Sequence, residues 1–196
     1  PLPGWMNGIS SYSLWWVMIQ WDWYRNHGNL DYVKEQRDYL EGLIRQLAAQ
    51  VGEDGRERMG KTRFLDWPSS EDEEAIHNGL QGLLTMGLTR GAELCDLIGL
   101  TDAAARARTA ADLLKKYALP ATRSKQAAAL TALAGLRPAA EVNREVLAVD
   151  PLKGVSTFYG YYVLQARAMA GDHAGALEVI RKYWGAMLEL GATTFW

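Results

Sequence analysis

The stretch Phe64-Leu-Asp-Trp-Pro-Ser-Ser-Glu-Asp-Glu-Glu74 sets the carboxylate of Asp66 beside the indole of Trp67, in a segment that Pro68 keeps out of any regular helix. A carboxylate accepts hydrogen bonds from hydroxyl groups, and an indole face stacks on the C–H face of a sugar ring. Similar pieces recur along the chain. Tyr12-Ser-Leu-Trp-Trp16 opens an apolar helix, Gly154-Val-Ser-Thr-Phe-Tyr159 opens another, and Gly191-Ala-Thr-Thr-Phe-Trp196 closes the chain. The candidate ligand contacts are therefore Trp67, Asp66 and Trp196, with Tyr12 and Trp15 as two candidates at the first helix. His77, one turn into the helix after the loop, reaches the same end or sits in the core.

Cleaving a glycosidic bond takes two carboxyl groups, an acid and a base or nucleophile. The loop offers Asp66, Glu71, Asp72, Glu73 and Glu74. The last four suit the positive end of a helix that Ser69 or Ser70 can cap, which is a structural role. Asp66 remains as a group to orient a hydroxyl, and no catalytic pair is legible. Three scattered His and one Cys have no metal-ligand spacing, so no metal site is expected. There is no glycine-rich phosphate loop and no nucleophile elbow, and no cofactor is expected.

The bulk properties narrow the partners. A net charge of −2 over 196 residues leaves no electrostatic footprint for nucleic acid. The longest apolar run, residues 14–19, is far too short to span a bilayer. The opening Pro-Leu-Pro-Gly-Trp lacks the pattern of a signal peptide and an initiator Met, so the expectation is a chain that starts inside a longer protein or after processing. The single Cys95 excludes an internal disulfide and leaves the compartment open.

These side chains must be positioned by helices. Apolar periodicity and breakers predict helices over 13–27, 31–50, 73–98, 102–117, 124–133, 139–149, 156–170 and 173–190, with Gly28 as a C′ glycine and Pro138 in a first turn. Strand alternation is absent, although the stretch around Arg63 could hold a short hairpin arm. The charges alternate by helix. The first, third, fifth and seventh are nearly uncharged; the second, fourth and eighth carry a wet, charged face. A plain bundle makes every helix similarly amphipathic. Hairpins arranged in an arc or ring, with odd helices inside and even helices outside, produce the alternation. The loops before the inner helices then share one rim, which is where the aromatic-rich segments fall. The expected fold is all-α, a single domain over 1–196 built of antiparallel helix hairpins.

Five of these pieces, in order, resemble bacterial α-L-rhamnosidases of glycoside hydrolase family 78. They are Tyr12-Ser-Leu-Trp-Trp16, Phe64-Leu-Asp-Trp-Pro68, Lys125-Gln-Ala-Ala-Ala-Leu130, Ser156-Thr-Phe-Tyr-Gly-Tyr-Tyr162 and Gly191-Ala-Thr-Thr-Phe-Trp196. The resemblance runs across essentially the whole chain. It implies part of an (α/α)6 toroid, inverting chemistry, and removal of terminal L-rhamnose from glycans or glycosides. It further implies that the general base is a Glu following Trp196 and that the general acid lies upstream of Pro1, leaving no catalytic residue within the chain. Trp67 matches a tryptophan of the family's sugar pocket. The chain holds fewer helices than a closed ring, so apolar surface on the first and last helices is expected to be exposed, with a homodimer as the result. Two rival readings are a helical-repeat scaffold for a protein partner and another sugar-acting toroid, such as a lyase or an unsaturated glucuronyl hydrolase.

Overall fold

The computed structural model describes residues 8–60 and 62–194. Among these the chain is helical. Pairing of the β type is confined to isolated bridges, Ile9 with Thr62 and Val51 with Glu57, and no hairpin arm forms at Arg63. The chain divides into two compact units. One takes the chain through Phe64 together with Leu83–Leu119; the other takes Leu65–Gly82 with the chain from Pro120 onward.

The first unit holds α1 (Ser11–His27), α2 (Leu30–Glu35), α3 (Arg37–Ala48) and α5 (Thr101–Leu114), with the later part of α4 (Glu73–Leu97). Gly28 ends α1 at φ 66° and returns its N–H to Tyr24, as a C′ glycine does. The helix predicted over 31–50 is two helices, broken at Gln36. Nothing in the local sequence breaks it. Beside the break, Arg37 donates to the Ile98 carbonyl at 2.7 Å, satisfying a backbone acceptor just past the end of α4. On α4, a Cβ at Gly91 would stand 2.3 Å from Ile44 Cδ1, so the glycine is what lets α3 seat there.

The second unit holds the start of α4, then α6 (Lys125–Leu133), α7 (Ala139–Val142), α8 (Thr157–Met169), α9 (His173–Val179) and α10 (Gly185–Glu189). π-helical turns, Asn143–Leu147 and Ile180–Trp184, continue α7 and α9, so the regular helices predicted over 139–149 and 173–190 are each interrupted. Its core packs Ala128, Ala129 and Ala132 of α6 against Val142, Val146 and Leu147 and against Val163 and Ala166 of α8. Gly82 meets α6 so closely that an added Cβ would stand 2.8 Å from the Leu130 carbonyl carbon.

Burial follows the charge alternation. Residues 75–88 of α4 are buried without interruption, as are the residues from Lys125 to Ala132 in α6. By contrast α3 buries only Leu40, Leu43, Ile44 and Leu47, and α9 only Ala176 and Val179. A helix buried on all sides has nowhere to place a charge, whereas one with a wet face places its charges there.

Candidate functional site

In the second unit, three loops that each lead into a buried helix come together. Asp66 is extended, at φ −157° and ψ 159°, and starts a single 3₁₀ turn, Trp67–Ser69. Its Oδ1 accepts the Trp67 N–H at 2.9 Å, and its Oδ2 accepts the Ser156 hydroxyl from the loop before α8. Both oxygens are thus engaged, and the residue is 8 % exposed. The arrangement fixes the start of the turn and leaves Trp67 71 % exposed above it.

The cap of α4 differs from the one expected. Ser69 and Ser70 turn back to the carbonyls of Asp66 and Trp67. Asp72 does the capping instead: its Oδ1 accepts the Ala75 N–H at 2.9 Å and its carbonyl accepts that of Ile76. The 3₁₀ turn Trp67–Ser69 takes up the serines, so the cap falls to Asp72 while the helix starts at Glu73 as predicted. His77 lies in the core at 4 % exposed, so of its two expected places it takes the buried one.

The loop before α6 closes the arrangement. Ser124 caps that helix through Ala127, and Gln126 donates to the Gly154 carbonyl in the loop before α8. Lys125 is 5 % exposed. Its ammonium donates to the carbonyls of Val146 at 2.9 Å, within the π-helical turn, and of Val149 at 2.6 Å, just past its end. Burial pushes its pKa down, the Arg167 charge adds to that, and Asp150 pulls the other way. Asp150 sits at φ 42° and starts the turn to Lys153.

Together these loops line a cavity of about 640 Å³. Pro68, Ser69 and Asp72 form one wall, residues 123–126 a second, and Glu145, Val146, Val149, Asp150, Lys153 and Gly154 the remainder. Hydroxyl-bearing ligands suit such a lining, since it offers carboxylates as acceptors and cations as donors. Of the cavity's charged residues, sequence analysis named Asp72, as a helix-start acid, and Lys125, as part of a motif, but the cavity itself was not foreseen. A signal existed: Lys125 is the one charge in an otherwise apolar helix, and a lone buried charge demands partners.

The remaining candidates lie elsewhere. Tyr12 and Trp15 belong to the first unit, where Tyr12 is 42 % exposed and Trp15 is 8 % exposed. Trp196 is outside the described residues. Among the described residues no group of His, Cys, Asp and Glu could hold a metal ion, and no helix is long and apolar enough to cross a membrane.

A solved structure bears on this geometry. The GH78 family rhamnosidase of Bacillus sp. GL1 superposes on 96 % of this chain with a TM-score of 0.77 and 19 % sequence identity. The chain resembles a family 78 rhamnosidase in fold. It spans 22 % of that protein's length. No family model matches the sequence, and no curated protein matches it. The likeness read from five short motifs is thus matched in three dimensions, as a helical, glycoside-hydrolase-like fold.

Proposed function

We propose that this chain forms part of an (α/α)6 catalytic domain of an inverting glycoside hydrolase that removes terminal L-rhamnose. The observation that carries the reading is an exposed Trp67 on a turn whose start is fixed by a buried Asp66. The fold match and the ordered motifs support it. In this reading Trp67 stacks on the sugar. Trp15, being buried, supports the helix behind Tyr12.

Asp66 serves differently from the role its sequence context suggests. With Oδ1 on the Trp67 N–H and Oδ2 on the Ser156 hydroxyl, it positions the indole rather than meeting a sugar hydroxyl head on. Asp72 is committed to its helix, and Glu71, Glu73 and Glu74 are exposed at the same helix start. The catalytic acid and base are therefore assigned, through the family resemblance, to segments beyond these 196 residues.

The test is an assay of the chain with p-nitrophenyl α-L-rhamnoside. General acid–base assistance contributes about 10²–10⁴-fold per group, so without either group turnover should stay at the buffer rate. Robust turnover that disappears in Asp66→Asn would place the catalytic pair inside the chain and refute this assignment.

A further inference from the structure

We infer that the cavity before α6 is a binding site for an acidic sugar, whose carboxylate is taken between Arg123 and Lys153. The inference rests on the sugar-binding reading above and adds a substrate class to it. It follows from which charges in the cavity are already spent.

Six ionisable side chains line the space: Asp72, Arg123, Lys125, Glu145, Asp150 and Lys153. Two of the acids are committed. Glu145 is held by Arg137 and Arg144, each at 3.0 Å, and Asp72 caps α4. Lys125 is committed in geometry but not in charge. Its two acceptors are neutral carbonyls, and it makes no ion pair among the described residues. The floor of the cavity therefore carries a buried positive charge that only the more distant Asp150 offsets.

At the mouth, Arg123 and Lys153 are exposed and have no hydrogen-bond or ion-pair partner among the described residues. Asp72, like Lys125, is committed in geometry but not in charge, since its partner is a neutral N–H, and Asp150 makes no ion pair among the described residues, so three cations face two unpaired acids. The surplus is positive, it is concentrated in a concave space, and walls of lower dielectric strengthen its field there. The remaining lining reads as hydroxyl recognition. Asp150 is an open acceptor, and Asp72 keeps one carboxylate oxygen beyond its cap. At about 640 Å³ the space lies within the range of about 300–1,000 Å³ typical of small-molecule sites. A hexuronate combines the required groups: one carboxylate for the two cations, and ring hydroxyls for the two acids. A neutral sugar would leave both cations without a partner, and a bare anion would leave both acceptors unused.

Isothermal titration of the full chain with sodium D-glucuronate, D-glucose, L-rhamnose and inorganic phosphate tests this. Glucuronate should bind at least about tenfold tighter than glucose and weaken as NaCl is raised past the point where the Debye length falls below about 8 Å. The double variant R123Q/K153Q should lose that preference while keeping its melting temperature. Both side chains are exposed, so the fold does not depend on them. Equal binding of glucose and glucuronate, or an unchanged preference in the double variant, would overturn the site. Phosphate binding as tightly as glucuronate would overturn the sugar part, leaving an anion pocket only. Rhamnose reports on the other reading separately. Rhamnose binding without glucuronate binding sinks this inference alone. Glucuronate binding without rhamnose binding sinks the rhamnoside reading and leaves the acidic-sugar site standing.

Discussion

The second unit carries two concavities of similar size and opposite chemistry. The cavity before α6, about 640 Å³, is lined by six charged side chains. The groove along α8, about 770 Å³, is lined by Thr157, Phe158, Tyr161, Tyr162, Leu164, Ile180 and Trp184 and holds no charge. Gly154 borders the first and Thr157 the second, so two residues of chain separate them. The difference shows what each surface is built to meet. Charges left without partners select a small polar solute, whereas aromatic side chains left uncovered select another apolar surface. Phe158 and Tyr161 are each 57 % exposed, and Leu188 and Leu190, further along the same chain end, are over 70 % exposed. The exposure of Leu188 and Leu190 accords with the expected apolar surface on the last helix, whereas Phe158 and Tyr161 lie on α8, which the charge pattern placed inside.

The polar side depends on how tightly α6 seats, which gives the most damaging change. Gly82→Ala drives a methyl group into the Leu130 backbone, which cannot move aside as a side-chain tip could. A destabilisation of about 1–3 kcal/mol is expected, as for an overpacked core. The melting temperature should then fall by several degrees, and glucuronate binding should weaken with it. An unchanged melting temperature would show that the helices have room to part.

The join between α8 and α9, behind the apolar groove, depends on Asp172. Its carboxyl accepts from Arg167 at 2.6 Å, from Asn143 and from the Gly175 N–H at the start of α9. Burial acts to raise its pKa, but these bonds outweigh it and hold the group below its ordinary 3.8. A carboxylate with a depressed folded pKa contributes fully above the unfolded value and loses that contribution as pH falls through the folded value. The urea midpoint should therefore drop between pH 5 and the folded pKa below 3.8, and Asp172→Asn should flatten that limb. Identical acid limbs in the two proteins would remove Asp172 from the account.

The groove itself should matter to association and hardly to folding. The double substitution of Phe158→Glu and Tyr161→Glu alters exposed positions, where changes of within about 0.5 kcal/mol are usual. By light scattering the unaltered chain should self-associate, and the double variant should run as a monomer. A monomeric unaltered chain would end the comparison on its apolar side.

Much of this architecture could be read from residue types, because burial on all sides and burial on one side leave different charge patterns. The uncharged stretch from Ala75 to Thr89 announced the buried α4, and the four apolar positions of α3 announced its single stripe. What failed did so for tertiary reasons. The break at Gln36 has no local cause, since the adjacent Arg37 contact is to Ile98, distant in sequence. The capping of α4 by Asp72 instead of a serine turned on one extra turn after Pro68. The Asp66–Trp67 pair was visible as chemistry, but Ser156 as the partner of Asp66 required the fold. The charged cavity was missed because its residues come from three loops that only the fold brings together; the isolated charge of Lys125 hinted at it.

Trp67, on the turn that Asp66 fixes, is the sugar platform proposed above. Calorimetric titration with L-rhamnose, comparing the unaltered chain with Trp67→Ala, tests it most directly. Trp67 is largely exposed, so the substitution should leave the melting temperature within the range of surface changes. Measurable rhamnose binding is expected for the unaltered chain, and a loss of at least about tenfold in the variant, in keeping with the energies of aromatic contacts. Rhamnose binding of equal strength in both proteins would contradict it.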